Sequence, residues 1–215
     1  MRNWIQRCPN FLNYNPGDGM RVLGLILAGG KSSRMGQDKL AMEVAGFSLL
    51  ALATQSLRDC AMIAIAAGEN ILPDDVSMYP LIADSESHVG PRAGLFPGLL
   101  FAAENGFELV QFSPCDTPLV NSDVFMELKR GLADADCCVP RTEAGIHPLH
   151  ALVRTGAFLK ALRENGKNFN IHSLVTSLSH NEILVDGDMM LNINSPEDMN
   201  DLKEQYLTDL QQRNL

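Results

Sequence analysis

Val22-Leu-Gly-Leu-Ile-Leu-Ala-Gly-Gly-Lys-Ser-Ser-Arg-Met-Gly-Gln-Asp-Lys39 decides how this chain is read. Val22 to Leu27 has the length and apolar character of a strand buried on both faces. The run empties into Gly29 and Gly30. There the missing Cβ lets the main chain turn sharply and aim successive N–H groups at one point. Lys31, Arg34 and Lys39 bring positive charge to the same loop. A buried strand feeding a cationic, glycine-rich loop suits the phosphates of a nucleoside triphosphate. The plainer explanation is a tight strand-to-helix turn with solvated charges, which does not call for so many glycines and cations.

Spacing separates one phosphate loop from another. A Walker loop places a glycine five positions before the Gly of Gly-Lys-Ser/Thr, and counting back from Gly30 reaches Leu25. A dinucleotide fingerprint needs Gly-x-Gly-x-x-Gly, which Gly29-Gly30-Lys31-Ser32 does not supply. The stretch from Leu27 to Lys39 does follow Leu-Ala-Gly-Gly-x-Ser-x-Arg-Met-Gly-x-Asp-Lys. It resembles the opening motif of the nucleotidyltransferases typified by the molybdenum cofactor guanylyltransferases.

Composition fits an enzyme of that size and excludes several other classes. With 215 residues, 46% of them hydrophobic, the chain can bury one substantial core. A net charge of -9 argues against a nonspecific grip on nucleic acid or an anionic membrane, so an anionic ligand must be held locally. Cys8, Cys60, Cys115, Cys137 and Cys138 are odd in number and form no Cys-x-x-Cys pair. Neither a disulfide framework nor a zinc site is expected, and reduced thiols in a cytoplasm fit best. Residues 1–19 hold no apolar run of signal-peptide or membrane-span length and read as an irregular extension, which Trp4 and Phe11 could anchor by packing. Met20 offers a second possible start of translation directly before the first strand. Residues 20–215 are then expected to form one nucleotidyltransferase domain.

Beyond the loop, strand-like and helix-like segments alternate, which predicts an α/β fold. Helices are expected over 47–58, 95–105, 121–132, 156–165, 171–178 and 195–212, and strands over 61–67, 109–113, 136–140, 150–153 and 182–185. Asn121 or Ser122 should cap the third helix. The resemblance implies a Rossmann-like three-layer αβα arrangement around a mostly parallel sheet, the nucleotide-diphospho-sugar transferase-like fold. In such sheets ligands sit at the carboxyl ends of the strands.

A second motif lies at such an end. Val110-Gln-Phe-Ser-Pro-Cys-Asp-Thr-Pro118 closes a strand with a carboxylate between two prolines. Mg²⁺ on a nucleotide takes one or two carboxylates with phosphate oxygens and water, so Asp116 is the expected metal ligand. A turn-capping role alone would also suit this aspartate. Pro114-Cys-Asp-Thr-Pro118 resembles the family's metal-binding segment. Cys115 with His147 or His150 as base would make a thiol enzyme, but no sequence context supports that.

The resemblance runs in order from Met20 to Leu202. Leu81-Ile-Ala-Asp84 resembles the strand whose aspartate contacts the nucleotide, and Gly90-Pro-Arg-Ala-Gly94 resembles the following Gly-Pro-Leu-Ala-Gly loop, with Arg92 in place of leucine. His147-Pro148 and Leu191-Asn-Ile-Asn-Ser-Pro-Glu-Asp198 resemble segments lining the acceptor side of the cleft. Asn192 and Asn194 would share a face on a strand, although Ser195-Pro196 also serves as a helix start. Where many members carry an asparagine after the second strand, Ile65-Ala66-Ala67-Gly68 offers only small residues, so contacts at Ala66 must come from the backbone.

The resemblance thus implies transfer of GMP from Mg²⁺-bound GTP to the terminal phosphate of molybdopterin, with release of pyrophosphate. Lys39, Arg34 and Asp116 would be the catalytic residues. Leu27, Ala28, Gly29, Gly30, Lys39, Ala66, Asp84 and Asp116 would bind the nucleotide, and His147, Asn192 and Asn194 the acceptor. Molybdopterin-delivering proteins and molybdoenzyme chaperones are the implied partners. The alternatives are a cytidylyl or sugar-1-phosphate nucleotidyltransferase of the same fold and a noncatalytic nucleotide-binding regulator. His150, His172 and His180 lie at no metal spacing and read as ordinary core or surface histidines. Arg141, Lys167 and Asn168 fit a solvated loop as well as the acceptor side.

Overall fold

Val22–Leu27, the first strand β1, is the middle of the sheet, and its continuous apolar character follows from that place. The computed structural model describes residues 20–29, 42–44, 46–68, 72–83, 92–165, 170–195 and 197–204. Gly30, Lys31, Arg34, Lys39, Asp84, Lys167 and Asn168 lie outside the described residues, as do residues 1–19.

The chain continues through the hairpin β2 (Glu43–Val44) and β3 (Phe47–Ser48), helix α1 (Leu49–Gln55), β4 (Met62–Ala66), β5 (Leu81–Ile82), α2 (Arg92–Glu104) and β6 (Leu109–Pro114). It proceeds with α3 (Ser122–Leu132), β7 (Cys137–Thr142), β8 (Gly145–Ile146), β9 (Leu152–Arg154), α4 (Thr155–Glu164), α5 (Ile171–Ser177) and β10 (His180–Leu184). Residues 197–204 are helical. The main sheet runs β10-β7-β9-β6-β1-β4-β5, with β8 paired to β7. β9 is antiparallel to both β6 and β7, whereas β1, β4, β5 and β6 are mutually parallel. No helix of the described residues is long and apolar enough to cross a membrane.

Two cores lie on opposite faces of the sheet, and β1 feeds both because successive side chains alternate. Leu23 and Leu25 join Leu95, Leu99, Phe112, Phe158, Leu174 and Val175, beneath α2, α4 and α5. Phe112 and Phe158 meet edge to face at 5.5 Å between ring centres. Val22 and Ile26 join Leu50, Leu57, Val124, Phe125 and Leu128, beneath α1 and α3. Gly24 shares the second face because a Cβ there would stand 3.0 Å from Leu57 and 3.3 Å from the Cys60 sulfur. The three-layer α/β expectation therefore holds.

Several boundaries differ from the sequence reading. Phe47 is an exposed strand residue rather than a helix start. Ser48 caps α1, its hydroxyl accepting the Ala51 N–H at 3.0 Å, and the helix stops at Gln55 rather than Arg58. Asn121 caps α3 by accepting from Asp123 and Val124 at 3.0 and 3.3 Å. Pro148–His150 forms a short 3-10 turn, so the following strand begins at Leu152 rather than at His150. A third, smaller core joins Val44, Leu49 and Leu52 to Ile193, Met199 and Leu202. It fastens the end of the described chain beside α1.

Candidate active site

The carboxyl edge of the central strands is built by main-chain bonds. Leu27 stands between Ala66 of β4 and Pro114 of β6 in the parallel ladders. Past the strand end, Ala28 donates its N–H to the Ala66 carbonyl at 2.8 Å, and Cys115 donates to the Leu27 carbonyl at 3.2 Å. Leu27-Ala28 is thereby clamped on both sides where the glycine loop begins. Ala28 is buried and Gly29 exposed. The Ala66 methyl is wholly buried in the core, and its carbonyl is engaged by Ala28. Gly68, two residues after β4, has φ +62°, a conformation suited to glycine.

Asp116 lies just beyond β6, half-buried, on the turn that leaves this edge. Its carbonyl accepts the Ile193 N–H at 2.8 Å. That bond brings the last motif of the chain against the second. Asn192 and Asn194 are not on a strand, which corrects the sequence expectation, because residues 191–194 join no ladder. Ile193 is instead buried in the third core while both asparagines are exposed. The following turn is fixed by a reciprocal cap. Asp198 Oδ2 accepts the Asn194 and Ser195 N–H groups at 2.7 and 2.8 Å, and Ser195 Oγ accepts the Asp198 N–H at 3.1 Å.

His147 follows the β7–β8 hairpin, half-buried, with Nε2 2.9 Å from Thr142 Oγ1 and its N–H donated to the Pro140 carbonyl at 2.8 Å. Burial lowers its pKa, favouring the neutral ring. Its ring centre is 6.2 Å from that of His150. His150 is buried, and its Nε2 stands 2.8 Å from Thr117 Oγ1, next to Asp116. Burial, and secondarily His147, push the His150 pKa down to about 3. Gln111 of β6 joins the cluster, donating Nε2–H to the carbonyls of Phe112 and His150 at 2.9 and 2.8 Å.

The described residues include no group of three or more His, Cys, Asp or Glu side chains able to hold a metal by themselves. A single carboxylate at the open sheet edge fits a hard cation that takes its remaining ligands from a substrate's phosphates and from water.

Comparison with known proteins gives the family and the fold. The family model of the MobA-like NTP transferase domain matches residues 24–181. The chain belongs to this family. A molybdenum cofactor guanylyltransferase of Yersinia pestis (strain Pestoides F) is 31% identical over 193 residues, covering 86% of this chain and 95% of that protein. Among solved structures, a nucleotidyl transferase from Methanothermobacter thermautotroptrophicus superposes with a TM-score of 0.75 at 16% identity, covering 89% of this chain and 100% of that one. Molybdopterin-guanine dinucleotide biosynthesis protein A from Archaeoglobus fulgidus gives 0.68 at 21%, covering 86% and 99%. These structural likenesses establish the shared fold, and the family assignment makes the chain a nucleotidyltransferase.

Within that family frame, the structure brings Leu27, Ala28, Gly29, Ala66 and Asp116 to one sheet edge and sets Asn192 and Asn194 beside Asp116 through Ile193. His147 lies on the neighbouring hairpin turn. Gly30, Arg34, Lys39 and Asp84 lie outside the described residues. Sequence reasoning did not single out Thr117 or Ile193, and His150, expected as an ordinary core or surface histidine, is buried. For Thr117 the available signal was its place beside the carboxylate of the Pro-Cys-Asp-Thr-Pro turn.

Proposed function

We propose that this nucleotidyltransferase moves GMP from GTP to the terminal phosphate of molybdopterin and releases pyrophosphate. The observation that carries the reading is the Ile193-to-Asp116 hydrogen bond, which puts the acceptor-side motif against the expected metal-ligand turn. The molybdenum cofactor guanylyltransferase relatives support the choice of nucleotide and acceptor.

A phosphate monoester is largely ionised near neutral pH and so acts as nucleophile without a general base. The protein's task is then positioning and charge compensation, as in other phosphoryl-group transfers. The main chain at Leu27, Ala28 and Gly29 starts the nucleotide loop at a rigid edge, and Gly30, Arg34 and Lys39 are assigned to the β- and γ-phosphates from the motif. Asp84 is assigned to the nucleoside, and Ala66, its methyl buried in the core, is assigned to the nucleotide through its main chain. His147, Asn192 and Asn194 are assigned to the acceptor, their neutral polar groups suiting a hydrogen-bonding ligand. Asp116 would hold Mg²⁺, which when bound draws charge from the α-phosphate.

The test is pyrophosphate release from GTP, CTP and ATP with Mg²⁺ and molybdopterin, comparing wild type with Asp116→Ala. Release confined to GTP and abolished by the substitution is the expected result. Release from CTP instead would move the chain to a cytidylyl specificity, and release unaffected by Asp116→Ala would remove the carboxylate from the mechanism.

A further inference from the structure

The turn carrying Asp116 is tied to the interior by a hydroxyl. Thr117 is buried, and its Oγ1 stands 2.8 Å from His150 Nε2 and 3.3 Å from the carbonyl of Pro114, the last residue of β6. One proton arrangement satisfies both contacts. His150 donates Nε2–H to the hydroxyl, and the hydroxyl donates its own proton to Pro114. The side chain thereby closes the turn on itself and fastens it to the 3-10 segment.

His150 is itself held from several sides. Its N–H donates to the His147 carbonyl at 3.0 Å, and its carbonyl accepts Gln111 Nε2–H at 2.8 Å. Gln111 belongs to the same strand that delivers Asp116. Strand, turn and 3-10 segment therefore form one buried polar cluster adjoining the turn that carries Asp116. The Gln111 side-chain oxygen is buried with no partner among the described residues, so the cluster retains polar atoms where apolar packing would avoid a desolvation cost. Apolar side chains at 117 and 150 would remove the hydroxyl and the imidazole, and with them the bonds that tie the turn to Pro114 and to the 3-10 segment.

We propose that His150 is a positioning residue that acts through Thr117 to orient the Asp116 turn and thereby sets the affinity of the divalent-cation site. This rests on the reading of Asp116 as the metal ligand. Outer partners of ligating side chains commonly change metal affinity about 10-fold or more when removed.

The test is Mn²⁺ binding to the full chain in the presence of GTP and without acceptor, read by electron paramagnetic resonance of free Mn²⁺. Asp116→Ala should weaken Mn²⁺ binding. Thr117→Val and His150→Leu should each weaken it about 10-fold or more. Thr117→Ser, which keeps the hydroxyl, and His150→Gln, which keeps a donor near Nε2, should restore it. Thr117→Val should add no further loss to Asp116→Ala. A purely structural role would lower the melting temperature of Thr117→Val and leave its Mn²⁺ affinity at the wild-type value. That result, with Asp116→Ala still weakened, overturns the positioning role alone. Unchanged affinity in Asp116→Ala overturns the metal-ligand reading, and the inference falls with it.

Discussion

The Ile193 N–H donates to the Asp116 carbonyl at 2.8 Å, joining two segments far apart in sequence at the carboxyl edge of the sheet. The bond is a main-chain contact, so its survival depends on what holds residue 193 in place. Two things do: the Ile193 side chain, buried in the third core, and the Ser195–Asp198 cap that follows it.

Asp198→Ala removes the acceptor of the Asn194 and Ser195 N–H groups. The stability loss should be about 1 kcal/mol, the usual worth of a helix cap. If Asn192 and Asn194 serve the acceptor, KM for molybdopterin should rise while KM for GTP stays near wild type. Melting curves and the two KM values check this, and a lowered melt with both KM values unchanged would remove the segment from acceptor binding.

Two glycine substitutions should have opposite signs. A Cβ on Gly98 of α2 would run into Leu25 Cδ2 and stand 2.9 Å from Cδ1, and Leu25 is wholly buried in β1. Gly98→Ala must therefore displace a filled core and should destabilise by about 1–3 kcal/mol. Gly156, in the first turn of α4, has nothing within 4 Å of its would-be Cβ. Gly156→Ala should stabilise by about 0.4–1 kcal/mol by restricting the unfolded chain. Denaturant titration of both variants distinguishes these outcomes.

The elements most legible in the sequence are those whose burial is uniform or whose cap is local. β1 is apolar throughout because both faces are covered, and Asn121 caps α3 with a side chain that reaches only to Asp123 and Val124. The direction of β9 was not legible. Leu152–Arg154 is too short to carry a pattern, and only pairing with β6 and β7 makes it antiparallel. Nor could local pattern place Ile193 on Asp116, since that contact depends on the third core closing over α1. The carboxylate at the end of β6 was legible because strand, proline and aspartate adjoin in sequence. Its support by His150 through Thr117 was not, because the partners come from different elements.

The thiols of the two main cores should be inert in the folded protein. Burial pushes the Cys138 thiol up to about 11 and Cys137 up to about 12, the latter helped by Asp136, and raises Cys60 well above its ordinary range. The thiolate is the reactive form, so little of it exists near neutral pH. Alkylation under native conditions at pH 8, followed by peptide mapping, should leave Cys60, Cys137 and Cys138 unlabelled until denaturant is added. Rapid native labelling at any of them would contradict the packing around it.

Acid should weaken the fold through His150. Its pKa falls from about 6.5 in the unfolded chain to about 3 in the folded one, mainly by burial. Below pH 6.5 the unfolded chain gains a proton that the folded ring refuses, so stability declines as pH drops toward 3. Above pH 6.5 both states are neutral and this contribution no longer changes. His150→Gln cannot titrate there and keeps a hydrogen-bond donor near Thr117. The stability difference between wild type and variant should therefore be constant above pH 6.5 and shift in the variant's favour as pH falls through the window. Denaturant midpoints measured from pH 8 to pH 4 read this directly. Parallel curves for the two proteins across that range would mean that His150 takes up a proton in the folded state as readily as in the unfolded one.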